Sequence, residues 1–254
     1  MKATAPPLNV TAAALEKSWA AVWSDLVKAR LTLLVLLTTL AGFYMGQAGT
    51  LEGWLLLHTL AGTGLLACGA AALNQLIERD YDARMRRTAG RPLPSGRLQP
   101  ETGLWFGLGA CVLGLVWLAA GVNPLTAWVG GFTVGVYLFI YTPLKRLTWL
   151  NTLVGAIPGA LPPLMGWTAA RNDLSLGGWG LFAILFFWQI PHFLAIAWLY
   201  REEYARAGFI MLPNVDADGT RTARQALAHA LGLAGVSLLP VLLGLAGTLY
   251  LVVA

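Results

Sequence analysis

The sequence is poor in charge, since Asp, Glu, Lys and Arg make up only 11% of its 254 residues, whereas 57% are hydrophobic. About a quarter of a typical soluble domain is charged, so this deficit excludes a soluble domain and predicts several membrane spans. Only two cysteines occur, Cys68 and Cys111, and both lie in apolar stretches. A disulfide framework or a cysteine metal cluster is therefore not indicated. Residues 1–27 lack the apolar run of a signal peptide.

Seven stretches reach the roughly 20 apolar residues that cross a bilayer. They are 29–48, 53–76, 102–121, 124–142, 150–168, 177–199 and 225–246. They predict an all-α, polytopic transmembrane helical bundle, with residues 1–254 as one domain and 1–27 as an N-terminal segment. Residues 249–254 begin an eighth apolar run at which the sequence stops. We therefore expect that further C-terminal spans are missing.

The basic residues predict the orientation of the bundle. Sixteen of the seventeen lie in the N-terminal segment, at the start of span one or in the loops after spans two, four and six, and Arg171 alone lies on the other side. The positive-inside rule places the N-terminus and these loops in the cytoplasm, and we expect a multi-pass protein of a bacterial inner membrane. The net charge of +5 is thereby explained by topology, and no nucleic-acid partner is predicted.

The most polar stretch is 74–97, which holds three of the twelve acids and six of the seventeen basic residues. If span two continues as a helix, Asn74, Glu78 and Asp82 fall at i, i+4 and i+8 on one face. Two carboxylates at this spacing repel each other by about 0.2–0.5 kcal/mol. Mg²⁺ would offset the repulsion, because it takes oxygen ligands from one or two carboxylates and from substrate phosphates.

A solvated helix end is the competing interpretation, with Asp80–Arg84 and Asp82–Arg86 as i,i+4 ion pairs. We assign Asp80 to such a surface. For Asn74, Glu78 and Asp82 we favour the metal site, because positive-inside topology accounts for basic residues but does not require acids.

Other residues on the same side suit an anionic leaving group. Lys28 with Arg30, the loop arginines, and Lys145 with Arg146 could neutralise a diphosphate, although topology alone accounts for most of them. Glu203 and Tyr204, after span six, are candidates for a second metal or diphosphate contact.

Spans five and six carry further irregularities. Span five contains Pro158, Pro162 and Pro163, which indicates either a broken helix lining a cavity or a kinked packing helix. His192 follows Pro191 inside span six and is either functional or bonded to a carbonyl that the proline frees.

Several motifs together resemble the intramembrane (UbiA-type) prenyltransferases, and most closely the branch that farnesylates heme. The resemblance extends from about Lys28 to Gln225. Its motifs are Asn74, Glu78, Asp82, Met85, Arg87, Thr88, Arg91, Pro92, Leu93 and Gly96; Tyr141, Thr142, Lys145 and Arg146; the glycines and prolines of span five; Trp188, Gln189, Pro191, His192 and Phe193; and Glu203, Tyr204, Gly208, Met211, Leu212 and Pro213. Glu78 and Glu203 stand where the wider family favours Asp.

The resemblance implies a helical bundle that transfers the farnesyl group of farnesyl diphosphate to a vinyl group of heme B, giving heme O. It assigns Mg²⁺ to Asn74, Glu78 and Asp82, with Tyr141 and Lys145 also catalytic. Diphosphate binding falls to Lys28, Arg87, Arg91, Lys145, Arg146, Glu203 and Tyr204, and heme binding to His192. It also implies hand-off of the product to a heme A synthase or to terminal oxidase assembly.

Two alternatives remain open. A related prenyltransferase would use a phenolic or naphthoic acceptor. A transporter would place its acids near the bilayer midplane and often contain inverted repeats, whereas the acids here lie at a span end.

Overall fold

A computed structural model describes residues 18–247 and 249–250, and within them it forms helices joined by short turns. The helices are α1 (Trp19–Leu26), α2 (Ala29–Gly46), α3 (Gly53–Asp82), α4 (Arg86–Ala89), α5 (Pro100–Gly121), α6 (Pro124–Gly135), a π-helix (Val136–Tyr141), α7 (Thr142–Leu144), α8 (Asn151–Arg171), α9 (Leu176–Leu199), α10 (Arg201–Ala207), α11 (Leu212–Val215), α12 (Thr220–Val236) and α13 (Leu239–Leu242). The all-α prediction is confirmed.

Seven helical stretches of the described chain are long and apolar enough to cross a membrane, and they coincide with the seven predicted spans. The second extends unbroken to Asp82, as the charge spacing predicted. The last begins at Thr220, earlier than predicted, and a turn at 237–238 interrupts it. Lys2, Lys17 and residues 251–254, on which part of the orientation and the eighth run were based, lie outside the described residues.

The core of the bundle surrounds α8. In its most apolar 18-residue window 72% of the residues are buried, against 6% in the last span. Helix α8 packs against α2, α6 and α9, while α3 packs along α5. Leu66, Leu118, Leu161 and Leu164 are among the side chains that fill the space between these helices.

The prolines of α8 do not break it. Pro158, Pro162 and Pro163 all lie inside one continuous helix and all are buried. Of the two interpretations of span five, the structure therefore agrees with a packing helix. Small residues such as Ala156 and Ala160, both fully buried, allow the neighbouring helices to approach closely.

Trp167 lies near the end of its span, a position typical of the tryptophans of an aromatic belt at the membrane surface, but the structure buries it. It is 2% exposed, and its indole N–H donates to Asp173 Oδ1 and to Ser175 Oγ, each at 3.0 Å. Hydrogen bonds from Ser175, and then from Trp167, lower the pKa of Asp173 to about 2. Trp167 thus fastens the α8–α9 turn instead of anchoring the protein in lipid.

Two glycines allow α2 to lie directly against α8. A Cβ atom at Gly42 would overlap the backbone of Pro163, and one at Gly166 would overlap the carbonyl oxygen of Thr39. Backbone atoms cannot swing aside as a flexible side chain can, so this helix pair tolerates no side chain at either position.

We predict that Gly42→Ala lowers the free energy of unfolding by about 1–3 kcal/mol, the usual cost of overpacking. The control is Gly109→Ala on α5, where a Cβ meets nothing within 4 Å. Thermal unfolding in detergent, followed by tryptophan fluorescence, measures both. Equal midpoints for the two variants would show that α2 and α8 are not in direct contact.

Candidate active site at the basic end of the bundle

The last turns of α3 bury a line of oxygen atoms at the end of the bundle that carries the loops 83–99, 145–150 and 200–219, called here the basic end. Asn74, Glu78 and Asp82 are 1%, 4% and 1% exposed. Asp80 points away, since its side chain is 73% exposed and pairs with Arg79 at 3.1 Å. The helical spacing therefore separates one solvated acid from three buried oxygen donors.

Each of these three side chains has its own cationic partner. Lys28 Nζ donates to Asn74 Oδ1 at 2.7 Å, Lys145 Nζ lies 2.7 Å from Glu78 Oε1, and Arg91 Nη1 donates to Asp82 Oδ2 at 2.6 Å. The partners come from three different segments of the chain, and those segments meet only in the folded bundle.

The described part of the structure has neither ion pair of the competing solvated-helix interpretation, and the pairing of Asp80 with Arg84 that went with its assignment to the surface is wrong. Asp80 pairs with Arg79 instead of Arg84, whose guanidinium lies 5.3 Å from the centre of the Tyr81 ring. Asp82 pairs with Arg91 instead of Arg86. The turn after α3 explains the change, because Thr88 Oγ1 donates to the Asp82 carbonyl and the chain folds back past the helix end.

Irregular backbone brings the two lysines to the line. Lys28 joins α1 to α2 with φ 49° and ψ 53°, a left-handed conformation that costs a non-glycine residue about 1–2 kcal/mol. Lys145 follows α7, directly after the π-helix and its one-turn continuation. Single π-helical turns are rare and occur frequently at functional sites.

Thr142 fixes the orientation of Asn74. Its hydroxyl donates its single hydrogen to the Tyr137 carbonyl at 2.8 Å, so it can only accept from Asn74 Nδ2, 3.1 Å away. The amide oxygen of Asn74 is thereby turned toward Lys28. The sequence argument missed this role of Thr142, although its place one residue after Tyr141 was visible.

Two tyrosines of the π-helix form a wall beside the lysines. The Tyr137 and Tyr141 rings stack at 5.7 Å with an interplanar angle of 24°. Lys145 Nζ lies 4.5 Å from the Tyr141 ring centre, and Lys28 Nζ lies 3.4 Å from the Tyr137 hydroxyl. The sequence argument identified Tyr141 but missed Tyr137, which its spacing of four residues could have revealed.

The two lysines differ electrostatically because their partners differ. Burial, and then the nearby Arg91 guanidinium, lower the pKa of Lys28 to about 7, since its partner is a neutral amide. Burial would also lower the pKa of Lys145, but the Glu78 carboxylate outweighs it and holds that pKa above its usual value. Lys145 is therefore a fixed positive charge.

A second polar cluster joins the loops of the basic end. The Arg87 backbone N–H donates to Glu203 Oε2 at 3.3 Å, and its guanidinium donates to the Tyr204 hydroxyl at 2.9 Å. Arg146 donates to the Tyr81 hydroxyl at 3.0 Å. The structure thus brings the loops after spans two, four and six together, while Glu203 reaches Arg87 and not the line on α3.

The segment 208–211 closes over Lys145. The Ile210 N–H donates to the Lys145 carbonyl at 2.7 Å, and Asn151 Nδ2 donates to the Ile210 carbonyl at 2.7 Å. Phe209, 4% exposed, lies with its ring centre 5.8 Å from the Lys145 ammonium. Neither Asn151 nor Phe209 was singled out from the sequence, because nothing local distinguishes them from packing residues.

His192 lies elsewhere. Its side chain is exposed on α9 and stacks on Trp188, with ring centres 5.2 Å apart and planes 19° from parallel. None of its contacts recorded in the described chain reaches the line on α3. The sequence expectation of a bond to a carbonyl freed by Pro191 is not seen among these contacts.

The donor set suits a hard divalent cation. Glu78 Oε1 is buried and lies 2.7 Å from Lys145 Nζ, and an ionised carboxylate has further lone pairs that can bind a metal ion. Asn74 and Asp82 add amide and carboxylate oxygens. The described residues contain no group of three or more His, Cys, Asp or Glu side chains that could hold a metal ion, and the line on α3 offers two carboxylates and one amide.

Buried oxygen donors and cations at one end of an apolar helical bundle are groups that suit a phosphate-bearing ligand and its counter-ion. The chain belongs to the UbiA prenyltransferase family, whose sequence model matches residues 35–254.

Two relatives match most of this chain, and both are named protoheme IX farnesyltransferase. The protein of Solibacter usitatus (strain Ellin6076) is 52% identical over 238 residues, which cover 90% of this chain and 81% of the relative. That of Koribacter versatilis (strain Ellin345) is 47% identical over 235 residues, covering 91% and 76%.

Solved structures share the fold at lower identity. A UbiA homologue from Aeropyrum pernix K1 superposes with a TM-score of 0.74 at 20% identity, over 87% of this chain and 82% of that one. A UbiA homologue from Archaeoglobus fulgidus, bound to GPP and Mg²⁺, gives 0.68 at 17% identity, over 86% and 78%.

We predict that Lys145→Met destabilises the protein by about 3–5 kcal/mol, because it leaves the Glu78 carboxylate buried without its cation. Glu78→Gln in the same chain should restore most of the stability by removing the unpaired charge. The control is Arg79→Ala, which breaks an exposed pair worth at most about 1 kcal/mol. Thermal unfolding in detergent is the measurement, and the pair has no structural importance if Lys145→Met unfolds at the same temperature as Arg79→Ala.

Proposed function

We propose that this chain transfers the farnesyl group of farnesyl diphosphate to a vinyl group of heme B, producing heme O. The observation that carries the proposal is the line of Asn74, Glu78 and Asp82, each of which is buried and paired with a cation. The chain belongs to the UbiA family and is about half identical to relatives named for this reaction.

Asn74, Glu78 and Asp82 would hold Mg²⁺, as expected from the oxygen donors on one buried face. The ion supplies charge neutralisation to the diphosphate when it is bound. The presence of Mg²⁺ beside GPP in the Archaeoglobus fulgidus homologue supports this assignment.

The cations of the site would stabilise the leaving group. As the bond between farnesyl C1 and the diphosphate oxygen breaks, negative charge accumulates on the diphosphate. Lys28, Lys145 and Arg91 are already held in place by oxygen partners, so little reorganisation accompanies their action. Arg87 and Arg146, with Glu203 and Tyr204 as supports, form the outer contacts.

The apolar surroundings would protect the allylic cation. The Tyr141 ring lies directly beside the Lys145 ammonium, so its π-face is close to the point where the leaving group separates, and aromatic faces attract cations. Phe209, Met85 and Met211 pack together above the site. Their role is to exclude water until the electron-rich vinyl group attacks the allylic cation. Water then adds to the new carbocation and loses a proton to the solvent, which completes the hydroxyethyl group.

The basic end would face the cytoplasm of a bacterial inner membrane, where water-soluble diphosphate is released. Fourteen of the sixteen basic residues predicted to be cytoplasmic lie in the described chain, and twelve of these fall within the family-matched residues 35–254. The product would pass to a heme A synthase or to terminal oxidase assembly.

Mass spectrometry tests the reaction directly. Purified protein in lipid is incubated with farnesyl diphosphate, Mg²⁺ and either heme B or a phenolic or naphthoic acceptor. Heme O is expected from heme B and no product from the others. A farnesylated aromatic product in place of heme O would contradict the choice of acceptor while leaving the prenyl transfer intact.

We predict that Asp82→Asn lowers turnover by at least about 10²-fold, the cost of losing one electrostatic contact to a developing charge. Asp80→Asn is the matched control, since Asp80 is on the same helix turn but points to solvent, and it should retain full activity. Heme O formation measures both, and undiminished product from Asp82→Asn would exclude Asp82 from the metal site.

We predict that His192→Ala weakens heme B binding by about tenfold, the equivalent of one strong polar contact, and leaves diphosphate binding unchanged. Its exposed ring beside Trp188 supports contact with a flat aromatic substrate. His229→Ala is the control, because His229 is bonded to its own helix at Gln225. Heme titration followed at the Soret band gives both affinities, and equal effects of the two variants would exclude His192.

A further inference from the structure

The junction between α1 and α2 is held from α3 by a side chain that no motif singled out. Gln75 is fully buried, and its Nε2 donates to two backbone carbonyls, those of Asp25 at 2.8 Å and Leu26 at 2.9 Å. These carbonyls lie at the end of α1, where the Asp25 carbonyl also accepts from the Lys28 N–H at 3.4 Å.

Lys28 follows this anchored end after one residue. It adopts the left-handed conformation with φ 49°, one of two non-glycine residues in the described chain to do so. Residues in sparsely populated backbone conformations persist only where their surroundings hold them. On the α2 side, the Thr32 hydroxyl donates to the Val27 carbonyl at 2.8 Å, so the strained residue is held from both directions.

The backbone conformation determines where the Lys28 ammonium lies. Gln75 immediately follows Asn74 on α3, so consecutive residues hold the backbone of the junction and the end of the Lys28 side chain. We infer that Gln75 is a positioning residue, which fixes the α1–α2 junction so that Lys28 Nζ reaches Asn74 and the diphosphate. This inference rests on the proposed function, because it takes Lys28 to bind diphosphate.

Packing alone does not account for glutamine at this position. Its Oε1 is buried and accepts no hydrogen bond, and an unpaired buried acceptor is unfavourable. Methionine has nearly the same length and shape and would fill the space without that cost. What methionine lacks is the donor that holds the two carbonyls.

The test is a double-mutant cycle on the binding of farnesyl thiodiphosphate, a slowly ionising analogue, in the presence of Mg²⁺. Gln75→Met should weaken binding about three- to tenfold, because Lys28 must then be ordered at the moment of binding. In a Lys28→Met chain, the same change should have no further effect. A purely structural role for Gln75 predicts equal losses in both backgrounds and would overturn the inference.

The control is Asn123→Ser, which removes another side-chain donor to a backbone carbonyl, that of Thr168 at 3.0 Å, while serine can still cap α6. Its binding should stay within about twofold of wild type. If Gln75→Met does not fold, Thr32→Val replaces it in the cycle, because this substitution releases the junction from the α2 side.

Hydrogen exchange gives a readout that does not depend on binding. The amides of residues 27–32 should exchange faster in Gln75→Met than in Asn123→Ser, and unchanged exchange would also overturn the inference. If the double-mutant cycle shows the Gln75–Lys28 coupling but the wild-type protein forms no heme O, the proposed acceptor is contradicted and the positioning role stands. If the wild-type protein forms heme O but the cycle shows no coupling, the proposed function stands and the positioning role of Gln75 is contradicted.

Discussion

The site depends on one constraint: carboxylates taken out of water must be paired with cations. An unpaired buried ion costs several kcal/mol, whereas the exposed Arg79–Asp80 pair contributes at most about 1 kcal/mol. Glu78 and Asp82 are therefore stable at this depth only while Lys145 and Arg91 are in place. Because those cations belong to segments far apart in the chain, the pairing also determines how the loops at the basic end fold together.

Close helix packing supports this arrangement from within the bundle. Gly42 and Gly166 place α2 against α8 at backbone contact, and α2 begins at the residue after Lys28. Gly155 performs a similar role for the other lysine, since a Cβ there would overlap the Tyr141 ring, which itself lies against Lys145. The small residues thus determine how near the cation-bearing segments come to α3, because lipid supplies no hydrophobic force to draw helices together.

The sequence predicted those features that depend on local spacing. The length of each apolar run predicted the seven spans, and the four-residue spacing of Asn74, Glu78 and Asp82 predicted a common face, both of which the structure has. It failed where the turn after a helix end determines which side chains meet. Asp82 has Arg86 four residues away but pairs with Arg91, because the folded turn offers a closer guanidinium. Trp167 lies near a span end, as the tryptophans of an aromatic belt do, and is nevertheless buried, with its indole N–H bonded to the next turn.

The irregular backbone of the site could not be predicted from the sequence for a related reason. A left-handed Lys28 and the π-helix at 136–141 are both unfavourable conformations for their own residues, so local propensity argues against each of them. They occur where side chains must leave the regular helical direction to reach α3. A regular helix would carry Lys28 and Lys145 along its own surface, and the bonds from Gln75, Thr32 and Thr142 stabilise the departures from it. The unfavourable backbone conformations thus occur at the two points where a lysine ammonium joins the buried line. A charged substrate would need a cation at these same points.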